Sequence, residues 1–304
     1  MIRGDIPVAE FSLSQEEIDF FHANGYLKPF KVYEKEEAEE MWDNIFEELV
    51  STESKIYTPN KYHYDRHLDL NLLTDHATNP KIIHRLASLM GNDIFLWRTE
   101  VFSKSPGDKG TEWHQVENFA YANNKVPQLI PNEKSEWGIV LTVWTAWTEC
   151  TKENGCLKFQ PGTHKRMYFD ESKTFEKNFD YDSTGFYGYT FADLKYDKDW
   201  EPNEDDAVYM EMQAGEAVIF TTRCIHGSAP NTSTDSRRYS TNARYVKGST
   251  QIFPGMTSVT DHGEHYNLDK YASVLVAGED RFGHNKRTDV NLNGHQFRHH
   301  RIGG

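Results

Sequence analysis

Short segments rich in β-branched and aromatic residues recur from residue 93 onward, and they constrain the fold more than any other feature of the chain. Turn signals such as Glu153-Asn154-Gly155 separate them. Many short strands at modest spacing predict a mainly β protein whose strands form a double-stranded β-helix, or jelly roll. The predicted strands are 93–102, 138–147, 156–160, 207–212, 216–221 and 238–246.

The first third of the chain instead carries helical signals. Ser14 and Glu17 are spaced as a capping box that opens a helix, and this helix is predicted to end near Asn24 and Gly25. Apolar residues recur at three- and four-residue spacing over 34–50, which predicts a second helix with one packed face. A third helix is predicted over about 81–90.

We predict that the chain forms a single domain over 1–304. Its parts are a mostly helical scaffold (1–92), a jelly-roll core (93–250) with an insertion at about 164–206, and a C-terminal extension (251–304). The insertion is polar and aromatic without a clean period, and it is expected either to cover the mouth of a site or to be a solvated excursion. The segment 295–301 is predicted to be a flexible terminus.

Composition narrows the class of protein. With 33 Lys and Arg against 47 Asp and Glu, the formal net charge is −14, which argues against nucleic acid and anionic membranes as partners. No apolar run approaches the roughly 18 residues that span a bilayer, and the start lacks the pattern of a signal peptide, so a cytoplasmic location is expected. Cys150, Cys156 and Cys224 form no CxxC pair, and we expect buried free thiols.

Two histidines are candidates for an iron site. His114 and His226 each follow a predicted strand, at the end where a jelly roll opens, and neutral imidazoles there could hold one ferrous ion. A single histidine near a strand is more often a packed or surface residue, and this chain has 14. In the two-histidine, one-carboxylate triad of non-heme iron oxygenases, Asp or Glu stands where this chain has Val116.

Arg238 and Glu117 bear on the same site. Arg238 begins a predicted strand shortly after His226, and its guanidinium suits the far carboxylate of 2-oxoglutarate. Without the surrounding pattern it would be interpreted as an ordinary salt-bridge partner. Glu117 is the adjacent carboxylate, but in an extended strand it would face away from His114, and only a bulge could redirect it.

Several short motifs carry a family resemblance. They are Trp97–Glu100, Pro106–Asp108, Gly110–Gln115, Thr142–Ala146, Asn154–Leu157, Pro161–Thr163 and Ala243–Val246, with Tyr64–Asp69 in the helical part. Together they resemble the phytanoyl-CoA dioxygenase-like superfamily and, within it, the syringomycin threonyl chlorinase group of Fe(II)/2-oxoglutarate-dependent aliphatic halogenases. The likeness runs from about residue 13 to about 279. It implies a cupin-like jelly roll and an oxidative reaction that uses Fe(II), 2-oxoglutarate and O2.

The resemblance implies roles for particular residues. His114 and His226 would bind Fe(II), and Arg238, with Thr111 and Trp144, would hold 2-oxoglutarate.

The vacant carboxylate position is part of the same resemblance. In the halogenase group this position carries alanine or glycine, which makes room for chloride bound directly to iron, and Thr142 and Arg244 match residues that organise the halide side through water. Val116 has two more carbons than alanine, and a difference of this size alters the packing of a closely packed interior. Three outcomes stay open: chloride still fits, water enters and the enzyme hydroxylates, or iron binding fails. The retained Thr142 and Arg244 favour the first.

The expected substrate is an amino acid whose unactivated C–H bond is chlorinated. Relatives act on an amino acid thioesterified to a carrier protein, so a peptidyl carrier protein is the implied partner. Glu100, Phe119, Tyr121 and Phe186 are the candidates for substrate positioning, although the aromatic residues could equally be packing residues. Tyr121 stands where the threonyl chlorinase has asparagine. A hydroxylase of the same fold and a catalytically silent carrier-binding homologue are the alternatives.

Overall fold

The computed structural model describes residues 10–58, 61–120, 126–171, 194–261 and 264–302. Its α-helices are α1 (Gln15–Asn24), α2 (Lys35–Ser51), α3 (Asn71–Ala77) and α4 (Pro80–Met90). Its strands are β1 (Phe30–Lys31), β2 (Ile94–Lys104), β3 (Leu129–Ile130), β4 (Val140–Ala146), β5 (Leu157–Phe159), β6 (Val208–Met210), β7 (Glu216–Thr221), β8 (His226–Ser228), β9 (Arg238–Lys247), β10 (Gln251–Ile252), β11 (Ser258–Asp261), β12 (Glu264–Asn267) and β13 (Val274–Ala277).

Antiparallel sheets dominate the molecule. A six-stranded sheet runs in the order β1-β7-β4-β9-β2-β13, and a three-stranded sheet runs β6-β5-β8. Two further pairs, β3 with β10 and β11 with β12, complete the described strands. These curled sheets confirm the predicted jelly roll with a helical N-terminal portion. The long central strands β2, β4 and β9 are almost entirely buried, because sheet and helices cover their two faces.

The N-terminal helices pack as their sequences predict. The Ser14 hydroxyl accepts from the Glu17 backbone N–H while the Glu17 carboxylate accepts from the Ser14 N–H, so α1 begins at the predicted capping box. It ends at Gly25, whose φ of 85° is left-handed and suits glycine. Helix α2 buries Trp42, which stacks on Trp147 with ring centroids 6.2 Å apart. Helix α3 was not predicted, because its seven residues are too few to show a helical period.

The six predicted strands correspond to β2, β4, β5, β6, β7 and β9 within a few residues at each end. Strand β8 was missed, since its three residues include Gly227 and Ser228 and carry no β-branched signal. It matters for the site because it begins at His226. The division of the chain into scaffold, core and extension stays a prediction, but the main sheet crosses those boundaries: it includes β1 from the N-terminal part and β13 from beyond residue 250.

The prediction of a flexible segment at 295–301 is wrong. Phe297 is 7% exposed and packs in the main core. The backbone N–H of His300 donates to Val276 O at 2.9 Å, and its Nε2 lies 2.8 Å from Thr78 O. These partners are distant in sequence, so local pattern could not reveal the packing.

Two expectations from composition can be compared with the structure. Cys150, Cys156 and Cys224 are buried free thiols, as predicted. Across the residues that the structure describes, no helix is long and apolar enough to cross a bilayer.

Replacing Phe297 with alanine tests the packing of the C-terminal segment. Phe297→Ala should lower the free energy of unfolding by about 3 kcal/mol, because it leaves a cavity in the core. Phe282→Ala is the matched control, since Phe282 is 45% exposed and its loss should cost less than about 0.5 kcal/mol. Urea unfolding measures both. Equal costs for the two variants would contradict the packed position of Phe297.

Candidate active site

His114 and His226 lie side by side although more than one hundred residues separate them. The His114 N–H donates to His226 O at 2.9 Å, and the His226 N–H donates to His114 O at 3.0 Å, as in an antiparallel strand pair. Their ring centroids are 4.1 Å apart. The structure therefore brings together the two predicted ligands, at a spacing at which two imidazoles can share one metal ion.

Backbone carbonyl oxygens orient both rings. His114 Nδ1 lies 2.8 Å from Glu112 O, and His226 Nδ1 lies 2.7 Å from Cys224 O. The proton belongs on Nδ1, where it donates to that oxygen, and the lone pair therefore lies on Nε2. Burial lowers the pKa of His114 to about 4, and burial together with the adjacent His114 holds the pKa of His226 well below its usual value. Both rings are thus neutral at pH 7, the form that binds a metal.

The segment after His114 alternates its side chains as an extended strand does. Gln115 Nε2 donates to Arg223 O at 2.6 Å, and Glu117 Oε1 lies 3.7 Å from Arg223 Nη1, so both side chains face Arg223. Alternation places Val116, which is 6% exposed, on the opposite face with His114. Among the described residues, no third His, Cys, Asp or Glu completes a metal-binding group with the two histidines.

The two histidines line a cavity of about 490 Å³ between the sheets. The cavity has two positively charged ends. The first end contains Arg238, the first residue of β9, and the second end contains Arg244, which pairs with Thr142 of β4. The lining residues are Phe102, Ser103, Lys104, Gly107, Asp108, Lys109, Thr111, His114, Thr142, Trp144, Leu157, Phe220, Thr222, His226, Gly227, Ser228, Arg238, Asn242 and Arg244.

Three predicted 2-oxoglutarate residues meet at the first end. Arg238 is 5% exposed, its Nη1 donates to Gly155 O at 3.1 Å, and its guanidinium carbon lies 5.2 Å from the Trp144 ring centroid. Its Nε is buried and has no hydrogen-bond partner in the described part of the chain. Thr111 faces the same end, where its hydroxyl and backbone N–H contact the Ser228 hydroxyl. A buried guanidinium with an unused donor suits a carboxylate ligand.

The predicted halide residues meet at the second end. Thr142 on β4 is the direct cross-strand partner of Arg244 on β9. Arg244 Nη1 lies 2.8 Å from Glu100 Oε2, which offsets its charge. The hydroxyl oxygens of Thr142 and Thr222 are buried and lack a hydrogen-bond partner within the described residues. Both threonines line the cavity, and an unsatisfied hydroxyl can donate to an anion or to a water that contacts one.

Of the four substrate-positioning candidates, the structure describes Glu100 and Phe119. Glu100 pairs with Arg244 and is not among the residues that line the cavity. Burial raises its pKa, but Arg244 outweighs burial and holds that pKa at about 2. Phe119 is 2% exposed, and the Arg244 guanidinium carbon lies 5.2 Å from its ring centroid. Both residues thus support Arg244, and their roles toward substrate stay predictions. Tyr121 and Phe186 lie outside the described residues.

The polar cavity residues that were missed include Lys104, Thr222, Ser228 and Asn242. A signal existed for two of them. Lys104 follows Glu100 by four positions on β2, and Asn242 precedes Arg244 by two positions on β9, so strand alternation puts each on the face of a residue already singled out.

The described start of the predicted insertion reaches back to the site. Glu171 is buried, and its carboxylate accepts from the backbone N–H groups of Glu117, Asn118 and Phe119 at 3.0, 2.7 and 3.1 Å. Phe119 has a φ of 59°, a left-handed conformation that a bulky residue seldom adopts, and these bonds help hold it there. Burial raises the pKa of Glu171 to about 7, although these hydrogen bonds lower it. Glu171 therefore fixes the backbone that follows Val116.

Comparison with known proteins agrees with this geometry. The family model described as phytanoyl-CoA dioxygenase (PhyH) matches residues 21–239. The chain belongs to this family. The protein is thus a member of an Fe(II)- and 2-oxoglutarate-dependent dioxygenase family, as the sequence motifs predicted.

Individual relatives support the same assignment. A solved structure titled "CytC3 with Fe(II) and alpha-ketoglutarate", that is, 2-oxoglutarate, is 34% identical, covers 97% of this chain and 99% of its own, and superposes with a TM-score of 0.74. Methylphosphonate hydroxylase from Gimesia maris is 26% identical over 75% of this chain and 78% of its own. The Stutzerimonas stutzeri protein named "probable alpha-ketoglutarate-dependent hypophosphite dioxygenase" is 24% identical over 57% of this chain, which matches 52% of that protein.

The residues present fit both cofactors. His114 and His226 offer two neutral imidazoles held by their Nδ1 atoms, which is the donor set for Fe(II). Arg238 offers a buried, unused Nε donor among the described residues, which fits a carboxylate of 2-oxoglutarate.

The buried carboxyl group of Glu171 should make the free energy of unfolding depend on pH. Its folded pKa of about 7 lies above the ordinary 4.5, so the stabilisation from proton binding is present below pH 4.5 and is lost as pH rises through 7. Relative to Glu171→Gln, wild-type protein should lose about 2 kcal/mol of unfolding free energy between pH 5 and pH 8. Urea unfolding at both pH values measures it.

Glu211→Gln provides the control for this pH dependence. Glu211 is exposed and accepts one backbone N–H, from Lys152 at 2.8 Å, so its replacement should leave the pH profile of wild type unchanged. Parallel profiles for wild type and Glu171→Gln would contradict the raised pKa of Glu171.

Proposed function

We propose that this protein is a non-heme Fe(II)/2-oxoglutarate-dependent halogenase, which chlorinates an unactivated C–H bond of an amino acid tethered to a peptidyl carrier protein. The observation that carries the proposal is Val116. It lies on the face of its strand that carries His114, at the position where the oxygenase triad has a carboxylate, and its side chain cannot bind a metal. A small anion such as chloride could then occupy the position that the carboxylate would take.

The remaining residues support distinct tasks. His114 and His226 would hold Fe(II), and Arg238 with Thr111 and Trp144 would orient 2-oxoglutarate. When bound, Fe(II) with 2-oxoglutarate and O2 supplies the oxidation that breaks the C–H bond. The protein residues contribute binding and placement, and a displacement of about 1 Å in the substrate carbon can change which atom it meets.

The halide side combines hydroxyl groups with a neutralised cation. Thr142 and Thr222 present buried hydroxyls, and Arg244 shares its charge with Glu100 at 2.8 Å. Such a wall can hydrogen-bond chloride or its water without adding a full positive charge, so the metal itself supplies most of the attraction for the anion. Val116 packs in the main core and is not among the lining residues of the described cavity.

A hydroxylase is the second candidate, and the Gimesia maris relative carries that name. It would need a carboxylate for the metal from within the site. Glu117 is adjacent in sequence, but its side chain faces Arg223 on the other side of the strand, at 3.7 Å. This orientation favours the halogenase.

The two functions differ in the mass of the product. Protein reconstituted anaerobically with Fe(II), 2-oxoglutarate and amino acids, free or as carrier-protein thioesters, should give a chlorine-bearing product once O2 is admitted with chloride present. Mass spectrometry of parallel reactions with and without chloride measures this outcome. A gain of oxygen regardless of chloride would make the protein a hydroxylase. Absence of iron uptake and of the charge-transfer absorption of the ferrous 2-oxoglutarate complex would indicate a silent carrier-binding protein.

The carrier protein is proposed from the family resemblance, and charge bears on it. This chain has a formal net charge of −14, and carrier proteins are usually acidic, so long-range repulsion would slow their encounter. Comparing free and thioesterified amino acids in the same assay tests whether the substrate is carrier-bound.

Replacing Val116 with alanine tests the vacant position directly. Val116→Ala removes two carbons next to the proposed halide position, so chloride-dependent turnover should be preserved or raised while iron uptake stays equal to wild type. Val276→Ala, a fully buried valine on β13, controls for the loss of core volume and should leave the ratio of chlorinated to oxygenated product unchanged. Loss of all iron binding in Val116→Ala alone would show that Val116 does not stand beside an anion.

A further inference from the structure

Two buried cations face each other at the end of the cavity assigned to 2-oxoglutarate. Lys104, the last residue of β2, is the direct cross-strand partner of Arg238, the first residue of β9. They are 6% and 5% exposed, and both line the cavity. Like charges directly opposite each other in neighbouring strands repel, and burial removes the water that would screen them.

No carboxylate in the described surroundings forms an ion pair with either cation. Within the residues that the structure describes, neither Lys104 nor Arg238 has a carboxylate oxygen within 4.0 Å, and Asp108, at the exposed rim of the cavity, is the acidic lining residue. A pair of buried positive charges in a cavity therefore needs an anion from outside the chain.

The hydrogen bonds of Lys104 have a fixed direction. Its Nζ donates to Lys109 O, Ala229 O and Ser228 Oγ, at 2.9, 2.9 and 2.8 Å. The Thr111 backbone N–H also donates to Ser228 Oγ, at 3.0 Å. Because an ammonium and an amide can only donate, the Ser228 hydroxyl accepts twice and must donate its own hydrogen to Thr111 Oγ1, 3.0 Å away.

This chain of hydrogen bonds, from Lys104 through Ser228, determines whether the Thr111 hydroxyl donates or accepts. Thr111 Oγ1 accepts from Ser228, so its own hydrogen is available as a donor, and Thr111 lines the cavity beside Arg238. Lys104 thus makes Thr111 a donor through Ser228, which is the polarity that a carboxylate requires.

We propose that Lys104 is a positioning residue for the dicarboxylate co-substrate: together with Arg238 it provides the positive charge that selects the carboxylate remote from the metal, and through Ser228 it holds the Thr111 hydroxyl as a donor to that group. This inference rests on the use of 2-oxoglutarate in the proposed function, and it is independent of whether chlorine or oxygen reaches the substrate.

The ionisation of Lys104 supports the same placement. Burial, and then the charge of Arg238, lower the pKa of Lys104 to about 7. The other titratable groups around it are Asp108, which favours its charged form less strongly, and the thiols of Cys150 and Cys156, which are neutral at pH 7 because burial raises their pKa values. Binding of a dianion would raise this pKa, so the complex should take up a proton at pH 7.

The test compares two 2-oxo acids that differ in the remote carboxylate. Calorimetry on anaerobic Fe(II)-loaded protein should show that wild type binds 2-oxoglutarate far more tightly than 2-oxobutanoate. Lys104→Met should weaken 2-oxoglutarate binding by about tenfold or more, because it removes a buried positive charge near the remote carboxylate, and should change 2-oxobutanoate binding little. Titrations at pH 7 in buffers of different ionisation enthalpy should show proton uptake with 2-oxoglutarate in wild type but not in this variant.

Two further variants make the result specific. Lys152→Met removes an exposed lysine from the chain and should leave both affinities unchanged. Ser228→Ala keeps the charge of Lys104 but breaks its link to Thr111, so it should weaken 2-oxoglutarate binding less than Lys104→Met does, and the double variant should lose less than the sum of the two. If Lys104→Met fails to fold, Ser228→Ala carries the test through the same selectivity ratio.

Opposite results separate this inference from the proposed function. Unchanged selectivity in Lys104→Met and Ser228→Ala, with wild type still preferring 2-oxoglutarate, would overturn the role of Lys104 and leave the proposed function standing. A wild type that binds both 2-oxo acids equally would overturn the two-cation site and the use of 2-oxoglutarate together.

Discussion

The antiparallel backbone pair between His114 and His226 is the constraint on which the site depends. Its two hydrogen bonds bring the imidazoles together, and the same close approach requires glycine on both segments. A Cβ on Gly110 would lie 2.5 Å from Ser228 O, and a Cβ on Gly227 would lie 2.6 Å from Thr111 O. Side chains there would push the segments apart and separate the histidines, so the glycines act on the metal site through spacing alone.

Strand β9 distributes the chemistry along one face. Arg238, Asn242 and Arg244 are an even number of residues apart, so all three point into the cavity. Their cross-strand partners complete the two ends: Lys104 on β2 opposes Arg238, and Thr142 on β4 opposes Arg244. A shift of one residue in either register would turn these side chains to the other face, so the register of the sheet determines which side chains each end of the cavity presents.

Sequence could predict what is local and periodic. The helices α1, α2 and α4, six of the strands, and the pairing of His114 with His226 followed from spacing, caps and family motifs. What depends on contacts distant in sequence was missed. The role of Lys104 depends on the β2–β9 register, and the packing of Phe297 depends on a core built from other parts of the chain. Glu171 was hidden for the same reason, because its partners lie on a segment more than fifty residues away.

Charge balance explains how a valine can stand where a carboxylate is expected. Both histidines are neutral, since burial lowers their pKa values, and Arg244 is offset by Glu100. Chloride carries the same single negative charge as the Asp or Glu side chain it would replace, so exchanging one for the other leaves the electrostatics of a metal site unchanged. What changes is mobility: a carboxylate is tied to the strand, whereas chloride is held by the metal and by hydrogen bonds alone. In the proposed halogenase, Val116 would therefore leave the halogen free to be transferred to the substrate, whereas a carboxylate would stay attached to the protein.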